Sequence, residues 1–251
     1  MKIRFIGTGS GKTSLERFHS CLMISDLKYN LLVDAGDSVS RALLSRSISY
    51  NSINGILISH LHPDHYSGFA ALVLQMKLND RKEPLFIFVH HTLVKTLKDF
   101  LAASYIFIER MDFPLHFKGF NFESEILIAP GLTFISRKNT HLDEYQRYNP
   151  SLSYACGSFL FKSANKKVFY SGDIGSPDDL YLFKDDDIDI YITEASHVNF
   201  SSILSMSKAL KPGKIVITHL SDENIPLIKE NLMNTENDSM IMAEDGLILG
   251  V

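Results

Sequence analysis

The sequence predicts a single α/β domain in which two β-sheets pack together with helices on the outside. Three observations carry this reading. The length of 251 residues fits the upper range of one domain. Neither a Pro/Gly/Ser-rich linker nor a low-complexity tract or repeat marks a boundary, so one domain is expected over 1–251. Short runs rich in Ile, Val, Phe and Tyr alternate with helical patterns along the whole chain.

In chain order, the apolar runs place strands at 3–6, 21–24, 29–33, 55–58, 85–89, 126–128, 132–136, 153–161, 167–170, 188–192, 214–217 and 239–242. Between them, helices are expected at 37–44, 64–77, 92–101, 177–183, 200–210 and 224–231, several opening on an Asp, Ser or Thr cap or an early Pro. A sheet of this kind buries one face on its partner and the other under helices, which is the basis for the layered arrangement.

Hydrophobic residues make up 45% of the chain and charged residues 22%, the balance of an ordinary globular protein. No apolar run approaches the roughly 18 residues of a membrane span, and the short stretch at 3–6, closed by Gly7, lacks the form of a secretory signal. A cytoplasmic protein without a membrane partner is expected. Cys21 and Cys156 are too few for a disulfide framework and read as small buried hydrophobes. A net charge of -4 disfavours a large RNA, which would need a local basic patch; the basic segment 77–81 is short. RNA remains a secondary partner, and the sequence leaves a homodimer open.

Three of the ten histidines fall within Ser59-His60-Leu61-His62-Pro63-Asp64-His65, between an expected strand and an expected helix. Two residues apart on extended chain, His60 and His62 share a face and can hold one cation, while Asp64 and His65 enter the first helical turn and can face a second. Further candidates follow other apolar runs: His141 after 132–136, Asp173 after 167–170 and His219 after 214–217. Loops held at the ends of a rigid sheet are where such groups gather. A carboxylate such as Asp173 has lone pairs enough to bridge two cations and charge to offset their repulsion.

The residues Ile3-Arg-Phe-Ile-Gly-Thr-Gly-Ser-Gly11, Leu32-Val-Asp34-Ala-Gly36, His60 to His65, Tyr170-Ser-Gly-Asp173, Thr193-Glu-Ala195 and Thr218-His219 together resemble the metallo-β-lactamase-fold hydrolases, in the branch of ribonuclease Z and the small phosphodiesterases. The resemblance covers most of the chain and implies a four-layer αββα sandwich. It implies His60, His62 and His141 on a first metal, Asp64, His65 and His219 on a second, Asp173 bridging them, and Asp34 as a structural aspartate beside the site. The neutral His62 stands where di-iron relatives carry a glutamate, which makes two zinc ions the first expectation, with manganese or iron as alternatives.

Two adjacent cations lower the pKa of a shared water from about 15.7 toward about 7, so hydrolysis by a bridging hydroxide is the expected reaction. His197, three residues beyond Glu194, is a candidate proton donor to a leaving group, with Asp64 as the alternative. Arg147, Tyr148 and Tyr154 lie in a loop that could overhang the metals. His19, His90, His91 and His116 carry no motif. Gly9-Ser-Gly11-Lys12-Thr13 is not a nucleotide P-loop, because the required first glycine falls on Ile6. Arg17 is followed by Phe18, where ribonuclease Z-like proteins carry an Arg-Asn pair. A small or cyclic nucleotide-like phosphodiester ranks first as substrate, since no long basic arm for clamping transfer RNA is evident. Transfer-RNA 3′ cleavage ranks second and lactone or ester hydrolysis third. A non-catalytic metal-binding scaffold ranks last.

Overall fold

The computed structural model describes residues 1–235 and 237–251. One sheet contains β1 (Lys2–Gly7), β2 (Cys21–Asp26), β3 (Tyr29–Val33), β4 (Gly55–Leu57), β5 (Leu85–His90) and β6 (Leu115–Phe120) in that order. The other contains β7 (Glu125–Ala129), β8 (Leu132–Lys138), β9 (Gly157–Ser163), β10 (Lys166–Tyr170), β11 (Ile190–Glu194), β12 (Lys214–Thr218) and β13 (Met240–Met242). The last strand, β14 (Ile248–Gly250), returns to the first sheet and pairs antiparallel with β1. Each sheet changes from antiparallel to parallel pairing, at β3–β4 in the first and at β10–β11 in the second.

The period of two along each strand sends neighbouring side chains into different cores. In β3, Leu31 and Val33 enter the layer between the sheets and Leu32 the layer under the helices. Between the sheets Phe134 packs edge-on against Phe88 and Phe120, with ring centroids 6.1 and 5.1 Å apart. Burying such side chains contributes about 1.5 to 3 kcal/mol each. The first sheet is covered by α1 (Val39–Ser45), α2 (Pro63–Tyr66), α3 (Phe69–Leu78) and α4 (Val94–Ala103), and the second by α5 (Phe200–Leu210) and α6 (Ile225–Met233). The result is the αββα sandwich.

Four local expectations are corrected. The helix read over 64–77 is two helices, because Gly68 packs its backbone against the preceding loop and donates to Ala35 O at 3.0 Å. The turn at Pro177–Tyr181 is a 3-10 helix closed by a Ser176/Asp179 capping box. The first residues of the strand read at 153–161 are irregular, and β9 begins only at Gly157. β6 was not anticipated: its Lys118 and Gly119 interrupt the apolar pattern, and its pairing comes from the parallel neighbour β5.

Candidate metal centre

The His60–His65 segment leaves the end of β4 and turns into α2, with His62 in extended conformation at the N-cap and Pro63 at the first helical position. It is stitched to the loop after β3: Ala35 N–H donates to His65 O at 2.7 Å. The two backbones approach so closely that a Cβ on Gly36 would lie 2.0 Å from Asp64 O, and one on Gly68 2.3 Å from Gly36 O. Only glycine fits at either place.

The remaining groups arrive on three strand ends of the second sheet. His141 follows β8, Asp173 follows β10 and His219 follows β12. The glycine-rich loop after β1 braces the last of these: Leu220 N–H donates to Thr8 O at 2.8 Å and Ser10 N–H to Leu220 O at 3.1 Å. That loop is a tight packing turn, not a phosphate cradle, and a Cβ on Gly7 would lie 2.0 Å from His19 O. His219 itself has a φ of 55°, an uncommon left-handed conformation for a side chain of its size.

Two groups of four converge, each with its ligand atoms within 4.8 Å of one another, His60, His62, His141 and Asp173, and Asp64, His65, Asp173 and His219, beside a group of three, Glu194, His197 and His219, that meets the same limit. Asp173 belongs to both groups of four. Its Oδ2 lies 4.0 Å from His60 Nε2 and 3.7 Å from His141 Nε2, and its Oδ1 lies 3.2 Å from His65 Nε2 and 3.3 Å from His219 Nε2. His141 Nε2 faces His62 Nδ1 at 3.0 Å, and His219 Nε2 lies 3.1 Å from Asp64 Oδ2. Yet His60 Nε2 and Asp173 Oδ1 are buried without a hydrogen-bond partner. Buried polar atoms are rarely left so, and lone pairs converging on common points suit cations.

The outer groups fix the ring orientations. Asp34, itself at a φ of 63°, presents Oδ2 to His65 Nδ1 at 2.8 Å and to the Tyr170 hydroxyl, which donates at 3.0 Å. Its Oδ1 accepts Ser59 N–H at 2.8 Å, while Ser59 Oγ lies 3.0 Å from His60 Nδ1. His65 and His60 therefore turn Nε2 inward, the arrangement by which outer partners orient metal-ligating imidazoles. Burial holds His60 well below the usual histidine range, favouring a neutral imidazole, and pushes His141 down to about 4. In His65 burial acts in the same direction, but Asp173 and Asp34 overcome it and raise the pKa. Asp173 is held well below the carboxylate range because His219 and His65 outweigh its burial.

Glu194, at the end of β11, is buried and accepts the backbone N–H groups of Ser196 and His197, the latter at 2.8 Å. Its other oxygen meets His197 Nδ1 at 3.2 Å, and this contact raises the His197 pKa against the effect of burial. The His197 ring lies 4.7 Å from that of His141 and 5.8 Å from that of His219. All nine candidate site residues are thus brought to one end of the sandwich. Arg147 instead packs on Tyr148 and pairs with Glu144 at 3.8 Å at the surface. Arg17 donates to Thr8 Oγ1 and Ala243 O at 2.6 and 2.8 Å, a structural task. Sequence reading missed Asp179, which holds the His141 loop, and Tyr145, whose ring stands edge-on to His62 at 5.5 Å. The Ser176-Pro-Asp-Asp179 pattern is a capping-box signal and was available for the first; nothing local marks the second.

Fold and site together define a metallo-β-lactamase-fold protein of ribonuclease Z-like sequence with a histidine–aspartate cluster at one end of its sheets. Over residues 1–240 the chain matches the family described as anti-Pycsar protein Apyc1, and it belongs to that family. It is 36% identical to ribonuclease Z of Saccharolobus solfataricus over 105 residues, 42% of this chain and 35% of that protein, so the match spans about a third of the relative's length. Among solved structures it resembles the metallo-β-lactamase-fold protein YhfI of Bacillus subtilis, with a TM-score of 0.78 at 18% identity, covering 99% of this chain and 98% of that one. A diphosphatase of the PhnP family gives a TM-score of 0.72 at 15% identity over 100% of this chain and 97% of that one. No helix among the described residues is long and apolar enough to cross a membrane.

Proposed function

We propose that the chain is a dinuclear metal-dependent hydrolase of small or cyclic nucleotide-like phosphodiesters. The observation that carries this is Asp173 placed between two histidine sets, with its two oxygens 3.2 to 4.0 Å from nitrogens of His60, His65, His141 and His219. In this reading His60, His62 and His141 hold one cation, Asp64, His65 and His219 the other, and Asp173 both. Zinc suits the five imidazoles and two carboxylates, with manganese or iron taking the site where supply favours them. When bound, such a pair supplies a water of lowered pKa and offsets charge on the phosphate oxygens.

The chain's own residues do the rest. Asp34 and Ser59 hold His65 and His60 in one ring orientation. Glu194 fixes the His197 ring through Nδ1, so that its other nitrogen is free to hand a proton to a departing alkoxide. The side chain of His197 is 38% exposed, which gives it access to both substrate and solvent. The 105-residue match to ribonuclease Z supports transfer-RNA 3′ cleavage as the second reading, and the net charge of -4 weighs against it.

Zinc-loaded protein is therefore expected to hydrolyse bis(p-nitrophenyl) phosphate and to leave precursor transfer RNA largely intact. Efficient 3′-end cleavage would promote the second reading. Rapid lactone or ester hydrolysis without diesterase activity would remove both.

A further inference from the structure

The histidines of the cluster are not all held in the same way. Asp34 orients the His65 ring from behind through Nδ1, and Ser59 does the same for His60. The Nδ1 of His219 is buried with no hydrogen-bond partner among the described residues, so no outer side chain fixes this ring. Its direction depends on the backbone that carries it. That backbone has a φ of 55°, a conformation that persists at a non-glycine residue only where the surroundings enforce it.

The enforcement can be traced outward. His219 O accepts the Ser196 hydroxyl at 2.6 Å. Leu220, the next residue, is bonded at both backbone groups, donating to Thr8 O and accepting Ser10 N–H. Thr8 is gripped in turn. Asp245 Oδ1 accepts its backbone N–H at 2.8 Å and its hydroxyl at 2.6 Å, and Arg17 Nη1 donates to the same hydroxyl at 2.6 Å. Asp245 Oδ2 accepts Phe18 N–H at 2.8 Å, so one carboxylate holds both the outgoing and the returning limb of the loop between β1 and β2. Asp245 has a fixed place because its segment is paired to β1: Gly246 N–H donates to Phe5 O at 2.7 Å and Phe5 N–H to Leu247 O at 2.9 Å. Thr8 is fully buried, so its hydroxyl has no water to replace these partners.

We infer that Asp245, acting through Thr8 and Arg17, is a positioning residue: it holds His219 in its left-handed conformation and so sets the ring for the cation shared with Asp64 and His65. The inference rests on the two-cation reading of the site but not on which ester is cleaved. A brace that served the fold alone would favour neither ion. This one is directed at a single group, because His219 belongs with Asp64, His65 and Asp173 and not with His60, His62 and His141. Gly11 of the same loop lies against that group too, where a Cβ would stand 3.3 Å from Asp64 Oδ2.

Two measurements on the full chain decide it. The first titrates cobalt(II) into Asp245→Ala, Thr8→Val and Thr8→Ser and follows the absorption of the bound ions, with His219→Ala identifying the band of the ion that His219 ligates. Asp245→Ala and Thr8→Val are expected to weaken that ion by roughly tenfold, the lower end of what an outer partner is worth, and to leave the other unchanged. Thr8→Ser, which keeps the hydroxyl, is expected to bind both as wild type does. The second follows hydrogen exchange in metal-free protein, where the Leu220 amide is expected to exchange roughly tenfold faster in the same two variants. Thr8→Val removes one hydroxyl only, so it carries the test even where Asp245→Ala does not fold. Equal loss of both ions, loss of neither, or a Thr8→Ser variant no better than Thr8→Val would overturn the positioning role. Wild type that takes up a single ion would sink the two-cation reading instead, and unaltered Leu220 exchange would then sink the hold on His219 as well.

Discussion

Asp179 Oδ2 accepts both the backbone N–H and the hydroxyl of Thr140, at 3.1 and 2.7 Å, and so fixes the residue that precedes His141. The same oxygen accepts Gly175 N–H at 2.9 Å and Ser176 N–H at 3.2 Å, in the loop that follows Asp173. One buried carboxylate thereby joins the loops carrying two of the proposed ligands. Asp179→Ala leaves these donors without their acceptor, and a stability loss of about 2 to 4 kcal/mol is expected. Metal titration against a chelator is expected to show both ions bound more weakly, the one held with His141 the more so, because Asp173 serves both groups and His141 only one. Asp179→Asn, which keeps an oxygen acceptor, is expected to recover part of both losses. Unchanged affinity for both ions beside the loss of stability would show that Asp179 acts on stability alone.

Purified protein grown with zinc is expected to retain about two ions per chain, the number its two ligand groups provide for. Asp173→Ala is expected to reduce occupancy at both positions and abolish turnover, since its oxygens face both histidine sets. Elemental analysis reads the first effect, and an unchanged metal content in the variant would contradict the bridging role.

For His197→Ala the contrast lies between leaving groups. Metal content is expected to stay intact while esters with poor leaving groups slow by roughly 10² to 10⁴-fold and an activated nitrophenolate ester slows much less. Equal slowing of both ester classes would remove His197 as proton donor and leave Asp64 as the alternative.

Asp34 touches His65 and Tyr170 but belongs to neither convergent group. Asp34→Asn retains much of the shape and loses the charge that orients the His65 ring, so metal affinity is expected to fall by about 10 to 100-fold, the usual scale for an outer partner. The circular dichroism spectrum is expected to remain that of wild type. Full metal affinity in this variant would show that the His65 orientation comes from packing alone.

Gly36→Ala asks for space that backbone already occupies, with Asp64 O 2.0 Å from the new Cβ. A loss of both stability and metal binding is expected, because the loop after β3 cannot move without shifting the segment that carries Asp64 and His65. Thermal unfolding and metal titration read the two effects.

Most strands were legible in the sequence, since a buried strand writes its burial directly into apolar residues. The run at 29–33 coincides with β3, and the helix read at 200–210 coincides with α5, whose Asn199 cap accepts Ser202 N–H at 2.9 Å. The cluster at 60–65 was legible because its four polar side chains lie within six residues and their spacing alone constrains their directions. Gly68 and β6 were less so. The glycine breaks a helix for the sake of Gly36 and Ala35, more than thirty residues away in sequence, and β6 depends on its pairing with β5.

By itself the sequence determined the layered α/β architecture, the presence of a histidine-rich turn after one strand and the candidates spaced along the rest of the chain. Only the tertiary structure decided that His141, Asp173, His197 and His219 meet that turn and that Asp173 lies between the two histidine groups. Local composition records what a residue needs from its immediate neighbours. Convergence of five strand ends depends on how two sheets stack, and that is set by core side chains such as Phe134 and Phe88, which never touch the site.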